Sequence, residues 1–382
     1  MSSICLNCYS KNTIKLRSSL ENELVPMSDG ALVKNFNATQ FLCENCSCVF
    51  TEYYPEDRLR KYFSEEYNVT DVVQDCQVVI NNLKNSKHSI IHTNFLNEVS
   101  GIKKYGKMLE IACGEGNLTR KFAGVHTDWE CTAIDPSLSA DFESRNSNVT
   151  FIRDFFSPEL IGDSKFDVII AHGILNRTPT LALLDQITRV SKKGCIVSLE
   201  VVLLEDSTYA PFIWDHSFTY LKQTFIDYLE DFGLVLLKEY DCGSTVQFVC
   251  EYDPLKNHVF RSIQDNDRNV KTLDQYREHI GHWRSIKDKF NKHAAQYSNK
   301  KISLFGAGLY TAVLFHLIDG SKVDLIIDEF RNGSNFQNFS VDDFSSIQNK
   351  EQMYFLLNCR KKNLDYLYHK IKQKGFNVIK LL

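Results

Sequence analysis

The chain has 382 residues, of which 43% are hydrophobic and 24% charged, and its formal net charge is −4. This length predicts two or three domains, and the composition is ordinary for a soluble globular protein. The sequence contains no long lysine–arginine run and no apolar stretch of about 18 residues, which argues against nucleic-acid binding and against a membrane span.

The first residues, MSSICLNC, have neither a basic start nor an apolar core, so they do not resemble a secretion signal. Twelve cysteines beside the α/β pattern described below indicate a reducing compartment, in which thiols are free or metal-bound. We therefore expect a cytoplasmic protein. The sequence leaves open whether it is a monomer or a homodimer.

Residues 1–70 contain two CxxC pairs, Cys5 with Cys8 and Cys43 with Cys46. Four thiolates satisfy a tetrahedral zinc ion, and closed sites of this kind are structural. The pairs are further apart than in a usual zinc ribbon, so we expect residues 12–40 to form a small β-rich loop closed by the metal. Cys48 is a possible substitute ligand, and unliganded buried cysteines are the alternative.

Residues 53–67 are dense in aromatic and charged side chains and lead into a helix predicted over residues 71–100. Most of these aromatic residues are expected to pack in the interior. Tyr67 is a candidate for a substrate-facing residue.

The central motif is KMLEIACGEGNL, residues 107–118, which predicts a buried strand over 108–111, a tight turn over 113–116 and then a helix. Glycine has no Cβ, so backbone N–H groups in such a turn can approach a ligand closely. The pattern E-x-A-C-G-x-G resembles the first motif of class I S-adenosylmethionine (SAM) methyltransferases. Ala112 and Asn117 stand where that motif has glycines. The cofactor-binding candidates here are Glu110, Ala112, Cys113, Gly114 and Gly116.

Further strands are predicted over residues 129–134, 150–152, 166–171 and 194–200, with a helix over 180–190. Asp135 follows the first of these strands and could accept hydrogen bonds from both ribose hydroxyls of an adenosine cofactor. Asp154 is expected near the adenine amino group, and His172, which follows the next strand, is a further cofactor-binding candidate. The alternation of strands and helices along the chain predicts a parallel, doubly wound sheet that binds its ligand at the carboxyl ends of the strands. The alternative is another nucleotide-binding Rossmann domain, such as a dehydrogenase.

Residues 200–220 connect the last of these strands to a helix at 222–232 and contain Asp215 and His216 side by side. Polar groups in such connections are often functional. We expect His216 to act as the catalytic base, with Asp215 or Tyr67 orienting it or the substrate. The alternative is a helix-capping aspartate beside a surface histidine. Residues 234–239 and 245–251 then predict an antiparallel hairpin that closes the sheet.

After a junction at about residues 254–268 and a polar helix over 272–298, a second α/β unit begins. Its glycine turn contains Gly306 and Gly308, and the next strand ends at Asp328. This unit could bind a nucleotide or serve only as a scaffold. The predicted domains are residues 1–70, 71–253 and 254–382.

In the order of its three predicted domains, the chain resembles the three-domain sugar C-methyltransferases, which act on nucleotide-linked ketodeoxysugars. The resemblance rests on the paired CxxC motifs, EIACGEG, and FGAG followed by IIDE. It implies a zinc-binding domain, a Rossmann-like class I SAM domain and a C-terminal Rossmann-like α/β domain, with SAM and structural Zn²⁺ as cofactors. The family's Y-H-E-H element corresponds to residues 213–216, IWDH, and a further family histidine aligns with Arg177. An O- or N-methyltransferase of another small molecule, or a catalytically degenerate binding protein, remains the alternative.

Overall fold

The computed structural model describes most of the chain, in the ranges 3–19, 24–34, 36–55, 57–67, 77–80, 83–99, 104–138, 147–243, 245–257, 265–328, 335–336, 339–347, 350–357 and 361–381. Within these ranges no helix has the length and apolar character that crossing a bilayer requires.

The N-terminal part of the chain is β-rich. Its elements are β1 (Thr13–Ser18), β2 (Leu24–Pro26), β3 (Leu32–Lys34), β4 (Asn37–Cys43), β5 (Val49–Tyr54) and the short helix α1 (Arg58–Lys61), which continues into a π-helical turn (Tyr62–Glu66). Strands β1, β4 and β5 form an antiparallel sheet, and β2 pairs with β3. The predicted β-rich loop between the two cysteine pairs is confirmed.

A hairpin, β6 (Gln77–Ile80) with β7 (Leu83–Ser86), precedes helix α2 (Lys87–Glu98). The helix predicted over residues 71–100 is therefore wrong over the hairpin, and residues 71–76, 81–82 and 100 lie outside the described residues. The sequence itself favours a strand here, since residues 78–80 are three consecutive β-branched residues, a type with low helix propensity and high strand propensity.

The central unit is a seven-stranded sheet in the order β10-β9-β8-β11-β12-β15-β14. Its first elements are β8 (Gly106–Ile111), α3 (Asn117–Val125), β9 (Trp129–Ile134), β10 (Val149–Ile152), α4 (Pro158–Ile161), β11 (Phe166–Ala171), α5 (Thr180–Val190) and β12 (Ser191–Val201). The two-residue strand β13 (Phe218–Thr219) follows in the chain but pairs outside this sheet. The last elements are α6 (Lys222–Asp231), β14 (Phe232–Asp241) and β15 (Val246–Asn257). The first five strands of the sheet are parallel, and β15 is antiparallel to both of its neighbours. The predicted doubly wound α/β class and its closing hairpin are confirmed. Because the strand order reverses between β8 and β11, a ligand site is expected at the carboxyl ends of these strands.

The C-terminal unit begins with the long helix α7 (Asn266–Gln296). It continues with β16 (Lys301–Phe305), α8 (Leu309–Leu317), β17 (Leu325–Ile327), β18 (Asn335–Phe336), β19 (Phe339–Asp342), β20 (Met353–Leu357), α9 (Lys361–Gln373) and β21 (Asn377–Lys380). Its sheet has the order β18-β19-β17-β16-β20-β21, in which β18 alone among the described strands is antiparallel to its neighbour. The domain boundaries at residues 70 and 253 stay a prediction.

The connection between β12 and α6 contacts all three units. Phe212 packs with Trp283 in the core of the C-terminal unit. Trp214 lies in the N-terminal cluster that contains Tyr62. Strand β13 adds to the outer edge of β5, with Phe218 opposite Phe50, and so completes the N-terminal sheet. This connection therefore holds the three units around the carboxyl end of the central sheet.

Candidate functional site

The turn after β8 is the tight turn that the glycine pattern predicts, and three of its residues have a left-handed backbone. Ala112, Gly114 and Gly116 have φ angles of 59°, 54° and 67°. A Cβ added at Gly116 would lie 2.3 Å from a ring carbon of Phe151, so this position requires glycine. Ala112 adopts the left-handed region with a side chain, which costs about 1 kcal/mol or more.

Glu110 accepts hydrogen bonds at the amino end of α3, the helix that follows the turn. Its Oε2 accepts hydrogen bonds from the backbone N of Thr119 at 3.0 Å and from the Thr119 hydroxyl. Thr119 is the third residue of α3, where N–H groups have no partner inside the helix. Burial raises the pKa of Glu110 to about 7, and the Thr119 hydrogen bonds oppose that rise.

Asp135 joins the carboxyl ends of β8 and β9. Its Oδ2 accepts from the backbone N of Gly114 at 2.8 Å. Its Oδ1 accepts from the backbone N of Ser137 at 2.8 Å and from the Ser137 hydroxyl at 2.5 Å. A carboxylate offers about four lone pairs, so three hydrogen bonds leave acceptor capacity for a ligand.

These residues face a cavity of about 710 Å³ at the carboxyl end of the sheet. That volume lies within the usual range for small-molecule sites. Of the residues predicted for the cofactor or the acceptor, those lining the cavity are Glu110, Ala112, Cys113, Gly114, Asp135, Asp154, His172 and Tyr67. Gly116 shapes the turn but does not line the cavity, and neither Asp215 nor His216 is among its walls.

His172 is held on the wall by a hydrogen bond between its Nε2 and Ser198 Oγ, at 2.8 Å. Gln247 Nε2 donates to the same Ser198 oxygen at 3.1 Å. The ring orientation is therefore fixed by strands β12 and β15. Glu200, two residues after Ser198 on β12, also lines the cavity and is buried.

Arg177 anchors the opposite wall. Its Nη2 donates to the Tyr67 hydroxyl at 2.8 Å and to Ser28 Oγ at 2.7 Å, and its Nε lies 3.7 Å from Asp215 Oδ2. The backbone N of Ser28 donates to Asp215 Oδ1 at 2.7 Å, and the Ser28 hydroxyl donates to Oδ2. The guanidinium also lies over the rings of Tyr67 and Phe63, at 5.1 and 5.4 Å from their centroids.

The charges of this wall are set by burial. Burial raises the pKa of Asp215 to about 6, and the Arg177 guanidinium opposes the rise. Burial also raises the pKa of Tyr67 to about 12, again against the effect of Arg177. Tyr67 is thus a neutral phenol at pH 7. Since its oxygen accepts from Arg177, its own proton can be donated to a ligand in the cavity.

Sequence reasoning missed most of this network. The sequence predicts that Asp215 orients the base or the substrate, but its side chain is fully buried behind Arg177. His216 is also buried, and its backbone bonds to Ile213 and Thr51. The alternative of a surface histidine is wrong because residues 213–218 lie between the three units. The alignment of Arg177 with a family histidine was the one available signal, and nothing in the sequence pointed to Ser28.

The four predicted metal ligands come together. The Sγ atoms of Cys5, Cys8, Cys43 and Cys46 all lie within 4.8 Å of one another. Cys5 and Cys46 are 3.8 Å apart, and Cys8 and Cys43 are 3.5 Å apart. A tetrahedral site with Zn–S bonds of about 2.3 Å needs S–S separations of about 3.8 Å, so the donor set fits zinc.

Neighbouring groups support these sulfurs. Cys48, the other candidate ligand, lies 3.3 Å from the Cys46 sulfur and is fully buried. The Nδ2 atoms of Asn7 and Asn45 lie 3.9 Å from Cys46 Sγ and 3.6 Å from Cys8 Sγ, respectively. Such outer contacts orient and stabilise metal-bound thiolates.

The cysteine cluster is also docked onto the rest of the protein. Asn7 Oδ1 accepts from the backbone N of Leu181 at 3.0 Å, in the first turn of α5. Asn269 of α7 donates to the Glu44 carbonyl at 2.7 Å and accepts from the Ser47 hydroxyl at 2.7 Å. Leu6, between the first two cysteines, lines the cavity. The cluster therefore connects the first segment of the chain with both α/β units.

The second glycine turn repeats one contact of the first. The backbone N of Ala307 donates to Asp328 Oδ2 at 2.8 Å, over a separation of 21 residues. Gly114 and Asp135 make the same bond at the same distance and separation. The two turns share this contact but not their full backbone geometry, since φ of Gly308 is −122° and φ of Gly116 is 67°. Whether the C-terminal unit binds a nucleotide stays a prediction.

Residues 109–197 match the sequence family described as a methyltransferase domain. This segment runs from β8 to β12 and includes the glycine turn and Asp135. No curated protein matches the chain.

Solved structures similar to this chain include 1,6-didemethyltoxoflavin-N1-methyltransferase from Burkholderia thailandensis, with 12% identity, a TM-score of 0.37, and coverage of 44% of this chain and 79% of that one. Coclaurine N-methyltransferase is 16% identical, with a TM-score of 0.35 and coverage of 43% and 54%. The N-methyltransferase NodS from Bradyrhizobium japonicum is 17% identical, with a TM-score of 0.35 and coverage of 46% and 99%. The family match shows that residues 109–197 form a methyltransferase domain, and the chain is an enzyme.

Proposed function

We propose that the enzyme methylates a small molecule, and that this acceptor is a nucleotide-linked ketosugar methylated at a carbon beside its ketone. The observation that carries the proposal is the cavity itself. It has the glycine turn and Asp135 on one wall and the Tyr67–Arg177 pair on the other. One continuous space of about 710 Å³ can hold a cofactor next to an acceptor.

The cofactor wall fits an adenosine-containing ligand. Asp135 would accept hydrogen bonds from the ribose hydroxyls, the turn at Cys113 and Gly114 would meet the methionine end, and Asp154 would lie near the adenine. Glu110 holds the helix behind the turn rather than reaching into the cavity with a free carboxylate. When bound, SAM supplies an electrophilic methyl group on a sulfonium.

The acceptor wall supplies a hydrogen-bond donor. Tyr67 keeps its proton at neutral pH, and Arg177 holds its oxygen in place. A ketone that loses a neighbouring proton develops negative charge on oxygen, and a positioned phenol stabilises that charge. Arg177 is itself fixed by Ser28 and by the buried Asp215.

Removal of the acceptor proton requires a base within hydrogen-bond reach. His216 is the base that the sequence predicts, but its side chain is not among the walls of this cavity. Glu200 is a second candidate because its buried carboxylate does line the cavity. Its charge also contributes to raising the pKa of Arg177 against the effect of burial, so the two groups are near each other.

Incubation with methyl-labelled SAM and a panel of nucleotide-linked ketosugars tests the acceptor. Amine and hydroxyl acceptors of similar size belong in the same panel, since they would reveal an N- or O-methyltransferase. Transfer to those acceptors and to no sugar would overturn the sugar proposal. On the acceptor found, Tyr67→Phe should lower kcat by roughly 10²–10³-fold, as loss of an oxyanion donor does. His216→Ala and Glu200→Gln then identify the base, and a His216→Ala variant with full activity removes that residue from the reaction.

The zinc site is the second part of the proposal. Four buried or half-buried thiols at tetrahedral spacing, with no carboxylate or imidazole in the group, fit a structural metal rather than a catalytic one. We infer no role for this metal in methyl transfer.

A catalytically degenerate binding protein is the second candidate function. Ala112 and Asn117 replace motif glycines, and IWDH replaces the family's Y-H-E-H element. Calorimetry with SAM and with S-adenosylhomocysteine separates the two. Binding of S-adenosylhomocysteine without transfer to any acceptor would favour the degenerate protein.

A further inference from the structure

The segment of residues 58–67 lines one side of the cavity, and we call it the roof. It belongs to the N-terminal part of the chain, yet Leu59, Arg60, Phe63 and Tyr67 all line the cavity. The residues facing this roof include Asp154 and Phe155, which follow β10 in the central unit.

The roof is held firmly on the N-terminal side. Arg58 and Glu66 form a two-pronged ion pair, with N–O distances of 2.9 and 3.0 Å. The Tyr62 hydroxyl donates to Asp29 Oδ2 at 2.7 Å, and its ring is buried. These contacts span both turns of the segment, so its cavity face has a defined position without any ligand.

Besides Phe63 and Tyr67, which contact Arg177, the roof residue Arg60 also reaches the central unit. The guanidinium carbon of Arg60 lies 4.3 Å from the centroid of the Phe155 ring. The two residues are 95 positions apart, and their contact spans the cavity from roof to sheet. Arginine is suited to this contact because its planar guanidinium stacks on aromatic faces.

We propose that Arg60 is a cofactor-binding residue that, held on Phe155, closes the cavity over the adenine end. This inference rests on the proposed function, since it uses the expected position of adenine beside Asp154. Adenine is flat and uncharged, so it needs planar contacts more than ion pairs. Arg60 and Phe155 are stacked on each other, so adenine would pack against the edge of this planar pair rather than between its members, and Arg60 comes from outside the methyltransferase fold.

The test uses S-adenosylhomocysteine as the probe in calorimetry with the full chain. Arg60 is exposed, so Arg60→Ala should fold normally, as melting temperature will check. We expect Arg60→Ala to weaken binding roughly two- to fivefold, the range for an exposed cation–π contact, and to speed dissociation by a similar factor. Arg60→Lys should recover only part of the loss, because it keeps the charge without the planar group.

A fragment and a matched control separate this role from a general charge effect. 5′-Methylthioadenosine, which has the adenine but no amino-acid end, should lose the same factor in Arg60→Ala. Lys61→Ala, which removes an exposed neighbouring cation paired only loosely with Glu65 at 3.9 Å, should bind like wild type. In a Phe155→Leu background, Arg60→Ala should add little further loss.

The outcomes are distinct. Wild-type protein that binds no S-adenosylhomocysteine overturns the proposed function and this inference with it. Wild-type binding with unchanged affinity in Arg60→Ala overturns this inference alone. An equal loss in Lys61→Ala, or a loss for S-adenosylhomocysteine but none for 5′-methylthioadenosine, also overturns it, because the contact would then not be with adenine.

Discussion

Arg177 Nε lies 3.7 Å from Asp215 Oδ2, and the aspartate is fully buried while the arginine faces the cavity. Asp215 therefore affects the acceptor wall through Arg177 and not by its own contact with a substrate. The pair joins the first residues after β11 to the connection after β12, and Ser28 joins both to the N-terminal unit.

Asp215→Ala should lower the free energy of unfolding by about 3 kcal/mol or more, because it leaves a half-buried guanidinium without its buried partner. Urea denaturation measures the change. Asp206→Ala, at an exposed aspartate in the same connection, is the matched control and should change stability by less than about 0.5 kcal/mol. An Asp215→Ala protein as stable as that control would show that the ion pair contributes nothing.

Asp135→Ala should weaken S-adenosylhomocysteine binding more than tenfold, since each hydrogen bond to a charged group is worth roughly 1.5–3 kcal/mol. Asp135→Asn is the gentler variant, because it retains one oxygen for Gly114 or Ser137. Calorimetry measures the affinity, with the exposed Asp128→Ala as control. Unchanged binding in Asp135→Ala would mean that the ligand makes no hydrogen bond to the residue that follows β9.

Ala112→Gly should raise the free energy of unfolding by about 0.5–1 kcal/mol. A φ of 59° costs alanine about 1–2 kcal/mol, and glycine at this position would relieve that strain. Glycine also raises the entropy of the unfolded chain, which offsets only part of the stability gained. The exposed helical residue Ala295 is the control, where Ala295→Gly should lower stability by about 0.5–1 kcal/mol. Equal losses at both positions would contradict strain at Ala112.

Several elements were predictable to the residue, and the site contacts were not. Strand β9, strand β11 and helix α5 begin and end where their apolar patterns do, because local periodicity and turn residues set those limits. The contact between Ser28 and Asp215 spans 187 residues, and the sequence has no periodic signal for such a contact. The same holds for β13, whose two residues form a strand only because β5 offers an open edge.

Glu110→Gln should change how stability depends on pH. Burial raises the pKa of Glu110 from 4.5 to about 7, so between these values the folded protein holds a proton that the unfolded chain has released. Stability from this group is complete below pH 4.5 and is lost as the pH rises through 7, by up to about 3 kcal/mol. The glutamine variant should lack that loss while keeping an acceptor for Thr119. Parallel pH–stability curves for the two proteins would contradict the shift.

Zinc removal should affect more than the first segment. Metal analysis should give one zinc per chain, and Cys5→Ser should lose it while Cys195→Ala, at a buried cysteine of β12, should retain it. After chelation, hydrogen exchange should speed up at both cysteine pairs and at the Leu181 amide, because Asn7 bonds that amide from between two ligands. Strands β8 and β11 should keep their protection. Much less than one zinc per chain in protein purified without chelator would contradict the site.

The addition of β13 to β5 also sets an order of events while the chain is being made. The open edge of β5 has no partner until Thr219 has been synthesised, about 165 residues later, which takes on the order of ten to thirty seconds at typical synthesis rates. An unpaired strand edge invites pairing with other chains, so the nascent N-terminal segment is exposed to aggregation during this interval. The unit that leaves the ribosome first is thus completed only after all five parallel strands of the central sheet have been made.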